Sequence, residues 1–557
     1  MAYHDIKNKL KLAIAQLNPT VGDVIGNLKQ AHHAHQEASA DGADIILFTE
    51  LFMSGYPAQD LILKPSFIRA CESAIQELAL LTKNGAAIII GTPLCRNNKI
   101  VNGVVVIDQG EIIGECLKSD LPNYGVFDEK RVFYPAQQNN PIIIRGLSVG
   151  IPICEDIWNN NDVIVDFVKK GAQFILVPNA SPYETGKIEQ RFILVKKQQK
   201  IPVPVIYANQ FGGQDELVFD GGSFGLQSDG AVAFQLKHFD CHLAITQWTK
   251  DKDLWRCTDQ PFESYLKGEG ADYQACLVGL RDYVTKNGFK GVLLGLSGGI
   301  DSALCAAMAV DALGADKVHA VMLPYHYTSQ ESLKDAQECA RLLGCRYDII
   351  PISEPVEGFL NALTDIFQGT QQNVTEENLQ SRTRGSLLMA LSNKFGSLLL
   401  TTGNKSEMAV GYSTLYGDMN GGFNPIKDIY KMQVYALSHW RNNNVPMNSL
   451  GPSGEVIPKN IIEKAPSAEL RENQKDEDSL PPYSILDDIL CCLVEDELSV
   501  NDIVKRGHTI QTVERIENLL YLAEYKRRQS APGVKISRKI FGLDRRYPIT
   551  NRFRDKN

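Results

Sequence analysis

Short apolar runs typical of β-strands recur from the start of the chain to about residue 246, with helix-like stretches between them. The alternation also predicts two hairpins, which turn at Asp108-Gln109-Gly110 and at Asp229-Gly230. Strands, helices and hairpins mixed in this way favour a layered α/β sandwich over a simple doubly wound sheet. The predicted strands and hairpins cover residues 11–17, 44–48, 86–91, 101–118, 147–154, 173–178, 204–209 and 224–234.

The second half of the chain has a different order of elements. A helix (271–287) is followed by an apolar strand (291–296), a glycine loop and a helix from Ile300, and two further strands (318–324 and 347–351) come with a helix between them. This βαβαβ order is typical of a parallel, doubly wound, Rossmann-like sheet. The pattern then predicts a helix over 376–394, a strand over 396–402, and mobile loops over 403–425 and 464–482.

A polar, irregular stretch near residues 247–270 separates the two patterns. The 557 residues exceed the roughly 250–300 at which a single hydrophobic core stops growing. We therefore expect a first domain over 1–247, a linker over 248–270 and a second domain over 271–557.

Composition narrows the class of protein. The net charge of −9 argues against nucleic acid as a partner. No apolar run is long enough to span a membrane, and residues 1–19 lack the unbroken apolar region of a signal peptide. The 12 cysteines include no CxxC pair, which is typical of reduced thiols. We expect a cytoplasmic protein.

Three residues with complementary chemistry each lie just past a predicted strand: Glu50, Lys118 and Cys154. A cysteine is a good nucleophile only as the thiolate, so it needs a base or a positive field nearby. Glu50 could accept its proton, and Lys118 could stabilise an oxyanion. The alternatives are a packed core cysteine and two surface residues, and Pro152 is unfavourable in a central strand.

The segments around these residues resemble signature segments of the nitrilase superfamily, most closely the glutaminase domain of NAD synthetases. They are FTELFMSGYP (48–57), LKSDLPNYGVFDEKRVF (117–133) and ICEDIW (153–158). The resemblance implies an α-β-β-α sandwich in which Glu50 is the general base, Lys118 stabilises the oxyanion and Cys154 forms a glutamyl thioester. It also implies that Glu129 steers Lys118, whereas an ion pair of Glu129 with Lys130 or Arg131 is the alternative.

The same resemblance assigns the binding of glutamine. In NASPYETGKIEQR (179–191), Ser181 and Lys187 would hold the amino-acid end of glutamine, and Tyr124 would line the pocket. Lys187 could equally be an ordinary exposed helix lysine.

A glycine-rich turn between a strand and a helix marks the second candidate site, in GVLLGLSGGIDSA (291–303). Its backbone N–H groups and the positive end of the following helix can face an anion. The Walker A pattern is absent. Asp301 could interact only with the helix dipole, or it could hold Mg²⁺ together with Glu407.

SGGIDS resembles the pyrophosphate loop of the N-type ATP pyrophosphatases, and three further segments resemble NAD synthetases: 377–385, 401–418 and 424–431. The resemblance implies that the carboxylate of deamido-NAD⁺ attacks the α-phosphate of ATP, and that ammonia then displaces AMP. It assigns Asn378, Arg382, Glu407 and Lys526 to deamido-NAD⁺, and Lys431 to the transferring phosphate. Arg384 could bind substrate or form a structural ion pair. The residues assigned to ATP are Gly295, Leu296, Ser297, Gly298, Gly299, Ile300, Asp301, Ser302 and Thr402.

Three alternatives stay open from the residues: another SGGxDS ligase, a synthetase that uses free ammonia beside a scaffold domain, and a non-enzymatic binding protein. The resemblance also implies a homo-oligomer. Because free ammonia is lost to solvent, we further hypothesise an enclosed passage between the sites, coupling of the two reactions, and closure of 403–425 as a lid.

Overall fold

The computed structural model describes residues 6–137, 139–159, 162–252, 254–259, 261–472 and 474–555. The described chain forms two compact units that divide between Leu266 and Lys267. Residues 1–5, which begin the stretch tested for a signal peptide, and two residues of the expected linker, Asp253 and Gln260, lie outside the described residues.

The first unit contains two stacked β-sheets with helices on their outer faces. The described strands of this unit are β1 (Lys9–Gln16), β2 (Ile45–Leu47), β3 (Ala87–Arg96), β4 (Lys99–Asp108), β5 (Glu111–Leu117), β6 (Ile142–Ile144), β7 (Leu147–Gly150), β8 (Phe174–Asn179), β9 (Val205–Asn209), β10 (Phe211–Gln214), β11 (Leu217–Asp220), β12 (Phe224–Leu226), β13 (Val232–Gln235), β14 (His242–Asp251) and β15 (Leu254–Asp259). The helices are α1 (Val24–Ala40), α2 (Pro65–Leu81), α3 (Val163–Lys169) and α4 (Lys187–Gln198).

Strand order explains the two layers. One sheet runs β15-β14-β1-β2-β3-β4-β5 and the other β13-β12-β9-β8-β7-β6, while β10 and β11 form a separate hairpin. Because side chains alternate across a strand, Leu12 and Ile14 pack between the sheets, whereas Ala13 and Ala15 pack with α1 and α2. In the second sheet, Ile175 packs outward with residues of α3 and α4. The predicted α-β-β-α sandwich is confirmed.

The expected irregular linker over 248–270 is wrong in its first part. Strand β14 continues to Asp251 and pairs with β15, which runs antiparallel beside it at the edge of the first sheet. Trp248 and Trp255 are buried in the core between the two sheets. The polar composition of the segment concealed these strands, since their outward-facing residues are polar.

The second unit is built on a parallel sheet of order β18-β17-β16-β19. Its strands are β16 (Val292–Gly295), β17 (Val318–Met322), β18 (Arg346–Ile349) and β19 (Leu398–Leu400). The order confirms the predicted doubly wound sheet. The chain adds β17 and β18 on one side of β16 and then adds β19 on the other side, which makes a switch point between β16 and β19. A crevice forms at the carboxyl ends of the strands at such a point.

Helices surround this sheet and extend beyond it. They are α5 (Glu269–Lys286), α6 (Ile300–Leu313), α7 (Gln330–Leu343), α8 (Ser353–Leu363), α9 (Val374–Phe395), α10 (Lys405–Val410), α11 (Lys431–Asn443), α12 (Lys459–Glu463), α13 (Tyr483–Val494), α14 (Val500–Lys505), α15 (Ile510–Leu522) and α16 (Glu524–Arg527). Residues of α10, α13, α14 and α15 share one hydrophobic cluster. Within the described ranges, no helix combines the length and the apolar character needed to cross a membrane.

The segment 403–425 is a loop over most of its length, as its glycines predicted, but it includes one short helix. It contains α10, which begins at an Asn404 cap whose side chain accepts a hydrogen bond from Glu407 N, and Lys405 and Ser406 are fully buried. Gly421 lies against the backbone of Thr401, so close that a Cβ would come within 2.9 Å of Thr401 N. Small residues here permit close packing against β19.

Candidate active sites

Buried charges cluster at the strand ends of the first unit. Lys118 follows β5, and its Nζ lies 2.7 Å from Glu50 Oε1 and 2.9 Å from both oxygens of Glu129. The Glu50 carboxylate also accepts hydrogen bonds from Asn102 Nδ2 at 2.7 Å and from Ala180 N at 3.2 Å. The structure therefore brings Glu50 and Lys118 together, and it places Glu129 on Lys118 rather than on Lys130 or Arg131.

Cys154 lies at the start of a short 3₁₀ helix, Cys154–Ile157, directly after an extended segment that follows β7. Its φ of 42° is unusual for a residue with a side chain, and such conformations cluster at functional sites. Pro152 lies after the last paired residue of β7, Gly150, so it interrupts no strand ladder. Pro152 is therefore compatible with a Cys154 that follows the strand.

Electrostatics couple the thiol to these charges. Burial, followed by the charge of Glu50, raises the pKa of Cys154 well above its usual value, while Lys118 opposes the rise. Burial also raises the pKa of Glu129 to about 7, against the pull of Lys118. Burial alone would lower the pKa of Lys118, but Glu129 and Glu50 outweigh it and raise that pKa. Burial and the charge of Glu50 thus both favour the protonated thiol of Cys154.

Polar and aromatic residues beside the cysteine form a second group. Tyr124 is 56% exposed, and its hydroxyl donates to both oxygens of Glu155, at 3.2 and 3.1 Å. Lys187 is half-buried at the start of α4, with Nζ 5.9 Å from the ring centroids of Phe127 and Trp158. Lys187 is therefore not an ordinary exposed lysine. The sequence did not single out Glu155 as a site residue, although it directly follows Cys154.

Ser181 is buried and held by a residue that the sequence did not single out. Arg191 on α4 is fully buried, donates Nη2 to Ser181 O at 2.8 Å and to Pro182 O at 3.0 Å, and donates Nε to Ser181 Oγ at 3.3 Å. Its charge is balanced by Asp220, whose Oδ2 lies 2.8 Å from Arg191 Nη1 and 2.9 Å from His238 Nε2. Arg191 ends the quoted segment 179–191, and two of its partners, Ser181 and Pro182, lie in that segment. The third partner, Asp220, lies 29 residues away, so only the fold shows that these groups meet.

A cavity of about 490 Å³ lies at the switch point of the second unit, at the carboxyl ends of β16 and β19. All eight residues of the predicted phosphate loop line it, as does Thr402. Gly298 has a φ of 81°, and a Cβ there would come within 2.4 Å of Ser332 O. Ser302 closes the turn, because its Oγ accepts from Ser297 N and donates to Gly299 O. The loop thus has the strand-turn-helix form that suits an anion.

Acidic and basic side chains meet in the same cavity. Lys431 Nζ lies 2.5 Å from Asp301 Oδ2 and 3.5 Å from Glu407 Oε1, and Asn404 Nδ2 donates to Asp301 Oδ1 at 2.9 Å. Burial, reinforced by Asp301, raises the pKa of Glu407 to about 8, while Lys431 opposes the rise. The Lys431 ammonium group is therefore in contact with two acidic side chains of the cavity.

The remaining predicted residues separate into two groups. Asn378 and Lys526 line the cavity. Lys526 Nζ donates to Gly411 O at 2.8 Å and to Ser413 O at 2.7 Å. Arg382 is exposed, is not among the residues that line the cavity, and donates Nε to Leu415 O.

Arg384, two residues further along α9, does line the cavity. Its Nε donates to Leu323 O at 2.9 Å, and burial lowers its pKa to about 10 although Glu469 and Asp418 act on it through space. Among the described residues we find no carboxylate hydrogen-bonded to this guanidinium. It is therefore a cation facing a cavity, and not part of a structural ion pair.

Comparison with known proteins matches the two parts of the chain to two protein families. Residues 11–252 match the carbon-nitrogen hydrolase family and residues 273–530 match the NAD synthase family. The chain is 47% identical to the glutamine-dependent NAD(+) synthetase of Rhodobacter capsulatus, over 99% of this chain and all of that protein. It also resembles the structure of the Acinetobacter baumannii enzyme in complex with ADP, with 39% identity and a TM-score of 0.77 over 99% of this chain and all of that one. A Cytophaga hutchinsonii structure of the same name shares the fold at 22% identity and a TM-score of 0.80, over 98% of each chain.

The α-β-β-α sandwich, with Cys154, Glu50 and Lys118 buried in it, is that of the carbon–nitrogen hydrolase family, and the same chain carries a unit of the NAD synthase family. The chain belongs to the family of glutamine-dependent NAD⁺ synthetases. It is a ligase that takes its nitrogen from glutamine. A non-enzymatic role and other SGGxDS ligases are thereby set aside.

Proposed function

We propose that the chain hydrolyses glutamine at Cys154 and uses the ammonia to amidate deamido-NAD⁺, with ATP converted to AMP and pyrophosphate. The observation that carries the proposal is the fully buried contact of Lys118 with Glu50 and Glu129 beside the Cys154 thiol. Ion pairs buried to this degree are costly to assemble, and at a cysteine they are typical of catalysis.

The first half-reaction follows from the protonation states. Because the free thiol is neutral, Glu50 accepts its proton as Cys154 Sγ attacks the amide carbon of glutamine. Lys118 stabilises the negative charge that develops on the amide oxygen. Glu50 then returns the proton to the leaving nitrogen, which departs as ammonia. Water hydrolyses the thioester, releases glutamate and restores the thiol.

Recognition of glutamine requires partners for its charged end. The Lys187 ammonium suits the α-carboxylate, and Ser181, fixed by Arg191, can donate a hydrogen bond to it. Glu155, hydrogen-bonded to Tyr124, supplies a carboxylate for the α-ammonium group. A cation for the α-carboxylate and an anion for the α-ammonium group favour glutamine over an amide that lacks these charged groups.

We assign ATP to the phosphate loop, from Gly295 to Ser302, and to Thr402, because these residues line one cavity at the switch point of the sheet. Deamido-NAD⁺ is assigned to Asn378, Glu407 and Lys526 in that cavity. Arg384 joins this set because its guanidinium faces the cavity without a hydrogen-bonded carboxylate among the described residues. For Arg382 the contact remains a prediction from sequence.

A magnesium ion fits the residues present. Mg²⁺ binds through one or two carboxylates together with substrate phosphates, and both Asp301, in the phosphate loop, and Glu407 line the cavity. When bound, the ion would neutralise charge on the phosphates. Lys431, which contacts both carboxylates, is positioned to stabilise the transferring phosphoryl group.

The test compares two nitrogen donors in the full-length protein. With glutamine, Cys154→Ala should form no NAD⁺ above background, whereas with ammonium it should keep the wild-type rate within about twofold. Cys95→Ala, which removes an exposed thiol, is the matched control and should keep both reactions. Glutamine-driven synthesis that persists in Cys154→Ala would favour a synthetase fed by free ammonia and refute the proposal.

A further inference from the structure

Asp156, two residues after the nucleophile, connects the segment of Cys154 to the segment of Lys118. Its side chain is buried, and its Oδ1 accepts from Ser119 N at 2.9 Å and from Asp120 N at 2.8 Å. Its Oδ2 accepts from Ile153 N at 2.8 Å. One carboxylate thus ties the residues that follow Lys118 to the residue that precedes Cys154.

Among the described strands, no strand pairing joins the segment of Lys118 to the segment of Cys154. Lys118 lies at the end of β5 in the first sheet, whereas Cys154 follows β7 in the second sheet. On the other side, Lys118 N donates to Asn102 O at 2.8 Å, which fixes it to β4. The Asp156 carboxylate therefore supplies a bond across the two layers at the level of the reacting groups.

The bond also bears on the unusual backbone of the nucleophile. Cys154 has a φ of 42°, and Asp156 closes the turn around it from both directions. Asp156 N donates to Ile153 O at 3.0 Å, while its side chain accepts from Ile153 N. A residue held in a sparsely populated conformation persists only where its surroundings determine it.

We propose that Asp156 is a positioning residue for the glutaminase reaction: its carboxylate sets the distance between the Cys154 thiol and the Lys118 ammonium by binding the backbone on both sides. This inference rests on the proposed roles of Cys154 and Lys118. It assigns Asp156 no contact with glutamine, because its oxygens are occupied by three backbone N–H groups.

The isosteric change Asp156→Asn tests the proposal. An amide has one acceptor oxygen, so it can satisfy the Ile153 side or the Ser119 side, but not both. A small misplacement of reacting groups can cost about a hundredfold in rate. We expect the glutamine-driven kcat to fall by about 10- to 100-fold, with the KM for glutamine changed by less than about threefold, because the charged end of glutamine is assigned to Ser181 and Lys187 and not to Asp156.

Three further measurements make the outcome decisive. The ammonium-driven rate of Asp156→Asn should match the wild type, and alkylation of Cys154 by an electrophilic glutamine analogue should slow in proportion to kcat. Asp229→Asn, at an exposed carboxylate paired with Arg256, should leave all rates unchanged. A wild-type kcat in Asp156→Asn, or equal losses with both nitrogen donors, would overturn the inference.

The design separates this inference from the proposed function. If Cys154→Ala loses glutamine-driven synthesis while Asp156→Asn keeps it, the role of Asp156 alone is wrong. If Cys154→Ala keeps glutamine-driven synthesis, the proposed function is wrong, and the role of Asp156 falls with it.

Discussion

Lys118 Nζ and Glu50 Oε1 lie 2.7 Å apart, and both side chains are excluded from solvent. The residues proposed as base and as oxyanion-stabilising cation are therefore in direct contact. Glu129 holds the same ammonium at 2.9 Å and accepts a further hydrogen bond from Tyr56 OH at 2.8 Å. Two acidic side chains thus share one ammonium group, so the contacts of Lys118 are not directed at Glu50 alone.

Glu129→Gln should impair the glutaminase more than the synthetase. The substitution removes one of the two charges that hold Lys118, so this ammonium is drawn toward Glu50 and weakens the base. We expect glutamine-driven kcat to fall by about 10- to 100-fold, within the range typical of electrostatic and acid–base contributions. Steady-state rates with glutamine and with ammonium measure the effect, and a parallel fall in both would contradict it.

The glutaminase reaction should also depend on pH near neutrality. Burial raises the pKa of Glu129 to about 7, so the group is charged above that pH and neutral below it. Activity that needs the charged form is therefore present above pH 7 and lost as the pH falls through about 7. Glutamate release measures kcat/KM without the complication of ammonium protonation. Glu129→Gln should lack this acidic limb, and an unchanged limb would assign it to another group.

Arg191→Lys should weaken glutamine binding. Lysine keeps the charge opposite Asp220 but cannot make the three contacts with Ser181 and Pro182 that the guanidinium makes. We expect KM for glutamine to rise by about tenfold, or ~1.4 kcal/mol, with ammonium-driven kinetics unchanged. Arg256→Lys, at an exposed arginine of the same unit, is the control. An unchanged KM would show that Ser181 keeps its position without Arg191.

Gly298→Ala should abolish synthesis with either nitrogen donor. Alanine at a φ of 81° is strained, and its Cβ would lie 2.4 Å from Ser332 O. We expect at least a hundredfold loss of ATP-dependent synthesis, measured as AMP release, with basal glutamate release unaffected. Gly299→Ala is the matched comparison, because Gly299 has a φ of −93° and its Cβ would meet only the movable Ser297 Oγ, at 3.3 Å. Equal losses in both variants would contradict the steric argument.

Arg384→Gln should raise KM for an anionic substrate of the synthetase. Hydrogen bonds to charged groups contribute about 1.5–3 kcal/mol, which corresponds to roughly 10- to 150-fold. KM for ATP and for deamido-NAD⁺, measured with ammonium, would show which substrate Arg384 contacts. Arg382→Gln tests the neighbour predicted from sequence, and Arg341→Gln, at an exposed arginine paired with Glu338, is the control. A larger effect of Arg382→Gln would reverse the assignment.

The sequence by itself determined the two architectures and the residues proposed as reactive. Apolar periodicity is local, so it marks strands such as β16 and places Glu50, Lys118 and Cys154 at strand ends. The SGG turn is equally local, because strand, glycine and helix follow one another in the chain. The family resemblance then added the roles of these residues.

Tertiary structure decided what depends on contacts between distant segments. The polar surface of β15 concealed a strand whose inward residue, Trp255, packs in the core. Arg191, with its partners on other elements, has no sequence pattern that marks it as a support for Ser181. Two arginines of α9, Arg382 and Arg384, lie only two residues apart, yet Arg384 lines the cavity and Arg382 does not. Periodicity reports which face of an element is apolar, but only packing determines which buried polar groups meet, and that determines the chemistry.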